Sequence, residues 1–371
     1  MPFCYAPWTS INVSPTGYIT PCCKFNQGPA YNIQTHTLKQ YLESSFLKDV
    51  KRNLLADEWP RGCDRCRVDE ENGIQSKREH DIEWLASEYS AVDLNQTSFI
   101  TASVSFGNAC NLKCVMCGPT VSSAFRKEHK ALTGEDVKPF LFKKTAFEAE
   151  FFEHAPSLKI LEIPGGEPFL SGVDSQKELL NKYVESGQSC SMSLRYTTNA
   201  TIFPDKEWWE LWKHFKVVNI QVSIDGIEER FEYIRYPAKW NDVVNNVIRY
   251  KEKASQSVIQ LCVSHAVSAY NIFYLPEFLA WCRAMGLRHI YLGRVHDPIW
   301  ARPSIWPQKK QIVDKLSASE FNECHTWAAL IQNTDDSQHY ELFRDVTARR
   351  DKYRGCSFER VFPELYWGFV D

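Results

Sequence analysis

Eight of the thirteen cysteines fall in two groups whose spacing could bind metal. Cys110, Cys114 and Cys117 lie within eight residues, in the run Cys110-Asn-Leu-Lys-Cys114-Val-Met-Cys117. Three thiolates at this C-x3-C-x2-C spacing fit three irons of a cubane cluster and leave the fourth iron open to another ligand. Zinc would need a fourth Cys or His nearby, and His129 is the nearest candidate. The second group is earlier and wider. Cys4 is followed by twelve residues, Gly17, four residues and Cys22, with Cys63-Asp-Arg-Cys66 much later. Two thiol pairs joined by a hairpin make a four-ligand site, which a zinc ribbon and an iron–sulfur cluster both satisfy. Cys23 is a spare thiol beside Cys22. Both groups suit a reducing compartment, where disulfides do not persist.

Elements of two kinds must hold these groups. Residues 11–20 read as a hairpin around Ser14-Pro15-Thr16-Gly17. Residues 38–55 have helical apolar spacing, and another helix is expected from Cys66 to about residue 89. From residue 99 onward, strands are predicted at 100–106, 158–163, 192–197, 217–224, 259–267 and 289–292. They alternate with helices such as 174–185, 242–254 and 272–285. Such alternation implies a parallel sheet, apolar on both faces, as either an open doubly wound sheet or an incomplete barrel. Helices follow residue 300, and an aromatic tail over 358–369 is expected to cover one end of the barrel.

Further chemistry-bearing residues stand where these strands end. Gly165-Gly166-Glu167-Pro168 follows the second strand, and on its residues alone reads as a strand-end turn with closely approachable backbone and one carboxylate. Asn199 follows the third strand, Ser223 and Asp225 close the fourth, and Arg235 lies just downstream. Each strand-end polar residue could equally cap a helix.

Taken in order, these segments resemble the radical S-adenosylmethionine superfamily. Its members carry C-x3-C-x2-C after the first strand of a partial (β/α)6 barrel, then GGEP, a TNG-like segment (here Thr198-Asn199-Ala200) and SxDG. Met116 stands where an aromatic residue is common. The resemblance implies a [4Fe–4S] cluster at Cys110, Cys114 and Cys117. It also implies S-adenosylmethionine held by Gly165, Gly166, Glu167, Pro168, Asn199, Ser223, Asp225 and Arg235. The quartet Cys4, Cys22, Cys63 and Cys66, with Gly17, resembles the SPASM/twitch module and implies an auxiliary [4Fe–4S] cluster. That module normally follows the barrel; here it precedes it. The expected architecture is α/β: module 1–95, barrel core 96–300 and helical extension 301–371. The expected activity is reductive cleavage of S-adenosylmethionine to a 5′-deoxyadenosyl radical. That radical would abstract hydrogen from a small-molecule or peptide substrate, for oxidation, epimerisation or cross-linking. A one-electron reductant such as flavodoxin or ferredoxin is the implied partner. The sequence names no catalytic residue. A non-catalytic zinc- or iron–sulfur-stabilised binding protein is the competing reading.

Composition narrows the classes. The 371 residues are 44% hydrophobic and 24% charged, enough for a large core. A net charge of −3 argues against a general nucleic-acid binder, which needs clustered cations. No apolar run reaches membrane-spanning length, and the N-terminus has no signal-peptide pattern, so a cytoplasmic protein is expected. Cys190, Cys262 and Cys282 read as small buried hydrophobes; Cys324 and Cys356 read as buried structural thiols, with approach to the pocket the alternative; His265, His289 and His296 read as structural histidines, with proton transfer the alternative.

Overall fold

The computed structural model describes residues 2–27, 31–88, 92–138, 140, 147–255 and 257–366. Its strands are β1 Ser10–Val13, β2 Ile19–Thr20, β3 Thr101–Val104, β4 Ile160–Ile163, β5 Ser193–Thr198, β6 Val217–Ser223, β7 Ile259–Val267 and β8 Ile290–Arg294. They form one sheet in the order β2-β1-β3-β4-β5-β6-β7-β8. β3 to β8 are all parallel and advance in a single direction. Right-handed crossovers between strands laid down this way place every helix on one face, so the sheet curls into a partial barrel. That order decides between the two architectures the sequence leaves open.

Sheet faces differ from the expectation. Leu161, Leu194, Ile220 and Val263 share the face covered by helices and are buried, whereas Ser103, Glu162, Arg195, Asn219 and Gln260 share the other face. The strands are therefore apolar outward and polar inward. The correction has a simple cause: the inner face of this incomplete barrel is not packed by a second layer, so it keeps polar groups that water can reach.

The N-terminal hairpin is spliced into the barrel sheet. β1 is antiparallel to β2 but pairs parallel with β3, with Ile11 opposite Ala102 and Val13 opposite Val104. Gly17 takes φ +80° in the turn, where a Cβ would come within 2.9 Å of Asn32 Oδ1. The expected helix over 38–55 is two helices, Leu38–Leu42 and Ser45–Leu55, because the Ser44 hydroxyl accepts from Leu47 N–H and starts a new one. The helix expected after Cys66 is likewise two, Asp64–Glu71 and Lys77–Glu88, divided at Gly73 (φ +72°).

At the C-terminus, helix Tyr340–Arg354 and the short helix Phe358–Val361 pack aromatic rings onto the barrel. Phe358 and Phe362 lie against Tyr233 and Tyr270. Residues 367–369 of the expected aromatic tail lie outside the described residues. Among the described residues no helix is long and apolar enough to cross a membrane.

His265 faces the helical layer, 4.1 Å from the Phe278 ring, with Nδ1 2.8 Å from Ile224 O. Burial pushes its pKa down to about 4, although Asp225 pulls the other way. The unfolded chain, titrating near 6.5, then binds more protons between those values. Its contribution is thus fully present above pH 6.5 and is lost as pH falls towards 4. Stability should drop by about 2 kcal/mol from pH 7 to pH 5 on this account. Urea midpoints at the two pH values should converge in His265→Phe; an unchanged gap would assign the effect elsewhere.

Candidate functional site

The loop following β3 carries Cys110, Cys114 and Cys117, and the ends of the next strands close around it. Gly165 lies so near this loop that a Cβ would come within 2.0 Å of Ser105 Oγ. Gly166, at φ +56°, would press on Ala109 O at 2.5 Å. Glu167 N–H donates to that same carbonyl at 2.8 Å. Only glycines permit this backbone-to-backbone junction.

Glu167 is buried, and its carboxylate faces β5 rather than open space. It accepts from Thr198 Oγ1 (2.7 Å), Asn199 N–H (2.8 Å) and Phe169 N–H (3.4 Å). Burial pushes its pKa up to about 7, against these donors. Pro168 O receives the Gln176 amide at 2.7 Å. Asn199 Nδ2 lies 3.9 Å from Cys110 Sγ and 3.0 Å from Asn111 Oδ1. Ala200, where the family has glycine, adopts φ +57°.

On the other flank, Arg235 Nη2 pairs with Asp225 Oδ2 at 2.6 Å, and Nη1 lies 4.0 Å from Cys114 Sγ. Asp225 is itself held by Ala266 N–H at 2.7 Å. Ser223 sits two residues earlier, at the end of β6 and opposite Ser264. Asn199 and Arg235 thus approach the thiols directly, whereas Glu167 and Asp225 act through other protein groups. Burial raises the Cys110 thiol to about 11, so metal must displace its proton. The hydrogen bond between Cys114 and Cys117, with burial, pushes the Cys114 thiol well up, while the same hydrogen bond lowers Cys117; the Arg235 guanidinium pulls both down.

Four backbone bonds hold Cys114 between its neighbours. Lys113 N–H donates to Tyr236 O (2.6 Å) and Val115 N–H to Ile234 O (2.8 Å). From the C-terminal helix, Arg354 donates to Lys113 O (2.8 Å) and Arg350 to Val115 O. Buried Glu128 binds Arg354 at 2.8 Å and Lys113 at 3.2 Å. No sequence signal points to Glu128, Arg350 or Arg354, because the partners lie more than two hundred residues apart.

Cys4, Cys22, Cys63 and Cys66 line one cavity in the N-terminal module. Trp8, Phe25, Val50 and Leu54 form a small core beneath three of them. Burial pushes Cys4 and Cys63 up to about 12 and raises Cys22 and Cys66 as well, so these thiols too are proton-bearing until metal replaces the proton. Among the described residues no three Cys, His, Asp or Glu side chains converge on a single-ion position. Four thiols spread around a cavity fit a multinuclear cluster. Cys23 points elsewhere and lines a neighbouring cavity with Glu162 and Arg195. Cys22→Ala should therefore lose the module's iron, and Cys23→Ala should retain it; iron counts that fall alike would erase this distinction.

Of the remaining thiols, Cys282 and Cys324 are buried as hydrophobes, but Cys190 is exposed and Cys262 is half-buried on the polar face. This corrects the expectation for Cys190 and Cys262.

Residues 104–267 match the model of the radical SAM superfamily, and residues 4–67 match that of SPASM, an iron–sulfur cluster-binding domain. Residues 104–267 are a radical SAM domain. The SPASM-type module comes first in the chain, and the cofactors are a [4Fe–4S] cluster, S-adenosylmethionine and an auxiliary iron–sulfur cluster. Similar solved structures include native anSMEcpe with bound AdoMet, at 17% identity over 54% of each chain and a TM-score of 0.41. The same protein with AdoMet and Cp18Cys peptide is 16% identical over 54% of this chain and 53% of that one, with a TM-score of 0.40. Streptococcus suis SuiB bound to S-adenosylmethionine is 14% identical over 68% of this chain and 52% of that one, with a TM-score of 0.36. The chain thus spans about half the length of each of these structures. No curated protein matches it.

Proposed function

We propose that this radical SAM protein is an enzyme that cleaves S-adenosylmethionine reductively and directs the resulting radical at a small-molecule or peptide C–H bond. In this reading Cys110, Cys114 and Cys117 hold the [4Fe–4S] cluster, and Cys4, Cys22, Cys63 and Cys66 hold an auxiliary four-iron cluster. When bound, the reduced three-cysteine cluster supplies the electron that breaks the sulfonium into methionine and a 5′-deoxyadenosyl radical.

The observation that carries the proposal is the junction of Gly165 and Gly166 with residues 105–109. It brings GGEP backbone beside the thiol loop, where the cofactor's amino group needs acceptors. Asn199 beside Cys110 and Arg235 beside Cys114 flank the same loop. Arg235, anchored by Asp225, sets a positive charge against the thiolates. The buried carboxylate of Glu167 ties the β4 loop to β5 and so fixes the cofactor backbone contacts. Cys4, Cys22, Cys63 and Cys66 would hold an auxiliary cluster that would supply an electron acceptor or a substrate ligand there, and a flavodoxin or ferredoxin would be the reductant.

Anaerobic reconstitution tests this reading. It should give about eight irons per chain, from two four-iron clusters. Dithionite and S-adenosylmethionine should then yield 5′-deoxyadenosine. Zinc in place of iron, or a full iron count without 5′-deoxyadenosine, would overturn the proposal.

A further inference from the structure

One residue past Cys117, the chain borders a cavity of about 140 Å³ that no cysteine lines. Gly118 forms one side, and a Cβ there would meet nothing within 4 Å. Helices Phe125–Thr133 and Tyr340–Arg354 supply most of the rest, together with Trp300. The volume is close to the roughly 150 Å³ in which an apolar protein cavity accommodates a benzene ring. Phe125, Leu132, Trp300 and Val346 give it apolar walls that a flat ring could cover.

The charge on those walls is out of balance. Glu128 is the one carboxylate paired with Lys113, Arg350 and Arg354 among the described residues. It is taken up by Arg354 at 2.8 Å and Lys113 at 3.2 Å, while Arg350 stands off at 4.0 Å. The Arg350 guanidinium lies over the rings of Phe125 (5.4 Å) and Trp300 (4.7 Å), and its one hydrogen bond goes to Val115 O. A guanidinium carries five N–H donors in one plane. Arg350, 12% exposed, therefore borders the cavity with most of its donors unused. The other charges on the wall are matched: Arg349 pairs with Asp345, and His129 lies 3.5 Å from Glu135.

This combination selects a ligand. A carboxylate would supply the anion that Arg350 lacks, in the two-pronged geometry a guanidinium fits. A neutral ring would cover the walls but desolvate Arg350 without giving it a partner. Inorganic phosphate would meet the charge and leave the apolar walls in water. An ammonium would face repulsion.

We propose that this cavity binds a small carboxylate with a flat apolar body, about the size of benzoate, and that its occupancy braces the thiol loop. Arg350 holds Val115, next to Cys114, and Gly118 follows Cys117, so the ligand touches both ends of the segment that carries these two thiols. The site goes beyond the radical SAM reading above, and binding there does not depend on that reading.

Isothermal titration of the reconstituted protein with benzoate, benzamide and inorganic phosphate tests the site. Benzoate should bind saturably and about tenfold or more tighter than either of the others. Arg350→Gln should weaken benzoate about tenfold or more. Val346→Phe should do the same by filling the cavity with every charge in place, which keeps the test in force where Arg350→Gln loosens the loop. Saturating benzoate should slow bleaching of the reconstituted protein in air about twofold or more, and should not do so in Val346→Phe. Equal binding of benzamide or phosphate, unchanged affinity in the variants, no saturable binding of benzoate, or bleaching indifferent to it would overturn the proposal. Iron content and 5′-deoxyadenosine formation without benzoate report on the radical SAM reading separately. They persist if only this site fails, and benzoate binding persists if only that reading does.

Discussion

Cys114→Ala should reduce 5′-deoxyadenosine formation by about a thousandfold or more and remove about four irons per chain, because a cubane left with two protein thiolates is not retained. The variant should still fold. The residues on either side of Cys114 keep their four backbone bonds to Ile234, Tyr236, Arg350 and Arg354, and none of these bonds uses the thiol. Removing a buried sulfur leaves a small cavity costing about 1–2 kcal/mol, so the melting temperature should stay close to the parent's. Cys63→Ala should lose a similar amount of iron from the other site. It should nevertheless go on forming 5′-deoxyadenosine, now uncoupled from product, because Cys63 lines the module cavity and does not touch the thiol loop after β3. Iron analysis, the absorbance of the reconstituted protein and 5′-deoxyadenosine quantitation separate the two variants. If both lose cofactor cleavage alike, the division of labour between the cysteine sites is wrong.

Features of this molecule that reside in local chemistry were readable from its sequence. The six barrel strands announce themselves as short segments alternating with helical ones, and the thiol loop and GGEP are contiguous motifs. Gly17 was legible as part of the turn Ser14-Pro15-Thr16-Gly17, and its spacing to Cys22 through the resemblance to the SPASM/twitch pattern. The features that escaped reading depend on contacts between distant segments. Whether Ser103, Glu162 and Arg195 face helices or a lumen is decided by strand order, which alternation within one strand does not specify. The splice of β1 onto β3 joins residues about ninety positions apart. Ser44 looks like any serine in a helical pattern until its hydroxyl is seen capping the helix that follows. Arg350 and Arg354 belong to no motif; only the fold sets them against carbonyls of the cluster loop.

The same arginines give the second large effect. Glu128→Ala should destabilise the protein by about 3–5 kcal/mol, the usual result of taking one partner from a buried ionic group. Glu128 is fully buried, the Arg354 side chain is 3% exposed and Arg350 is 12% exposed. Arg354 reaches Glu128 through Nε and Nη2, Lys113 adds a third cation at 3.2 Å, and Arg350 stands at 4.0 Å. Without the carboxylate, three positive groups remain in one buried pocket, and their repulsion falls on the segment carrying Cys114. For a chain of this length the loss corresponds to a melting temperature lower by about 5 °C. The loop should also loosen, so the reconstituted three-cysteine cluster should bleach faster in air. Arg354→Ala alone should be milder, since Glu128 keeps Lys113. The double variant should be less destabilised than the sum of the singles, because removing Arg354 relieves the charge that Glu128→Ala strands. Additive losses would mean that Glu128 and Arg354 do not act as a pair, and that the C-terminal helix meets the cluster loop only by packing.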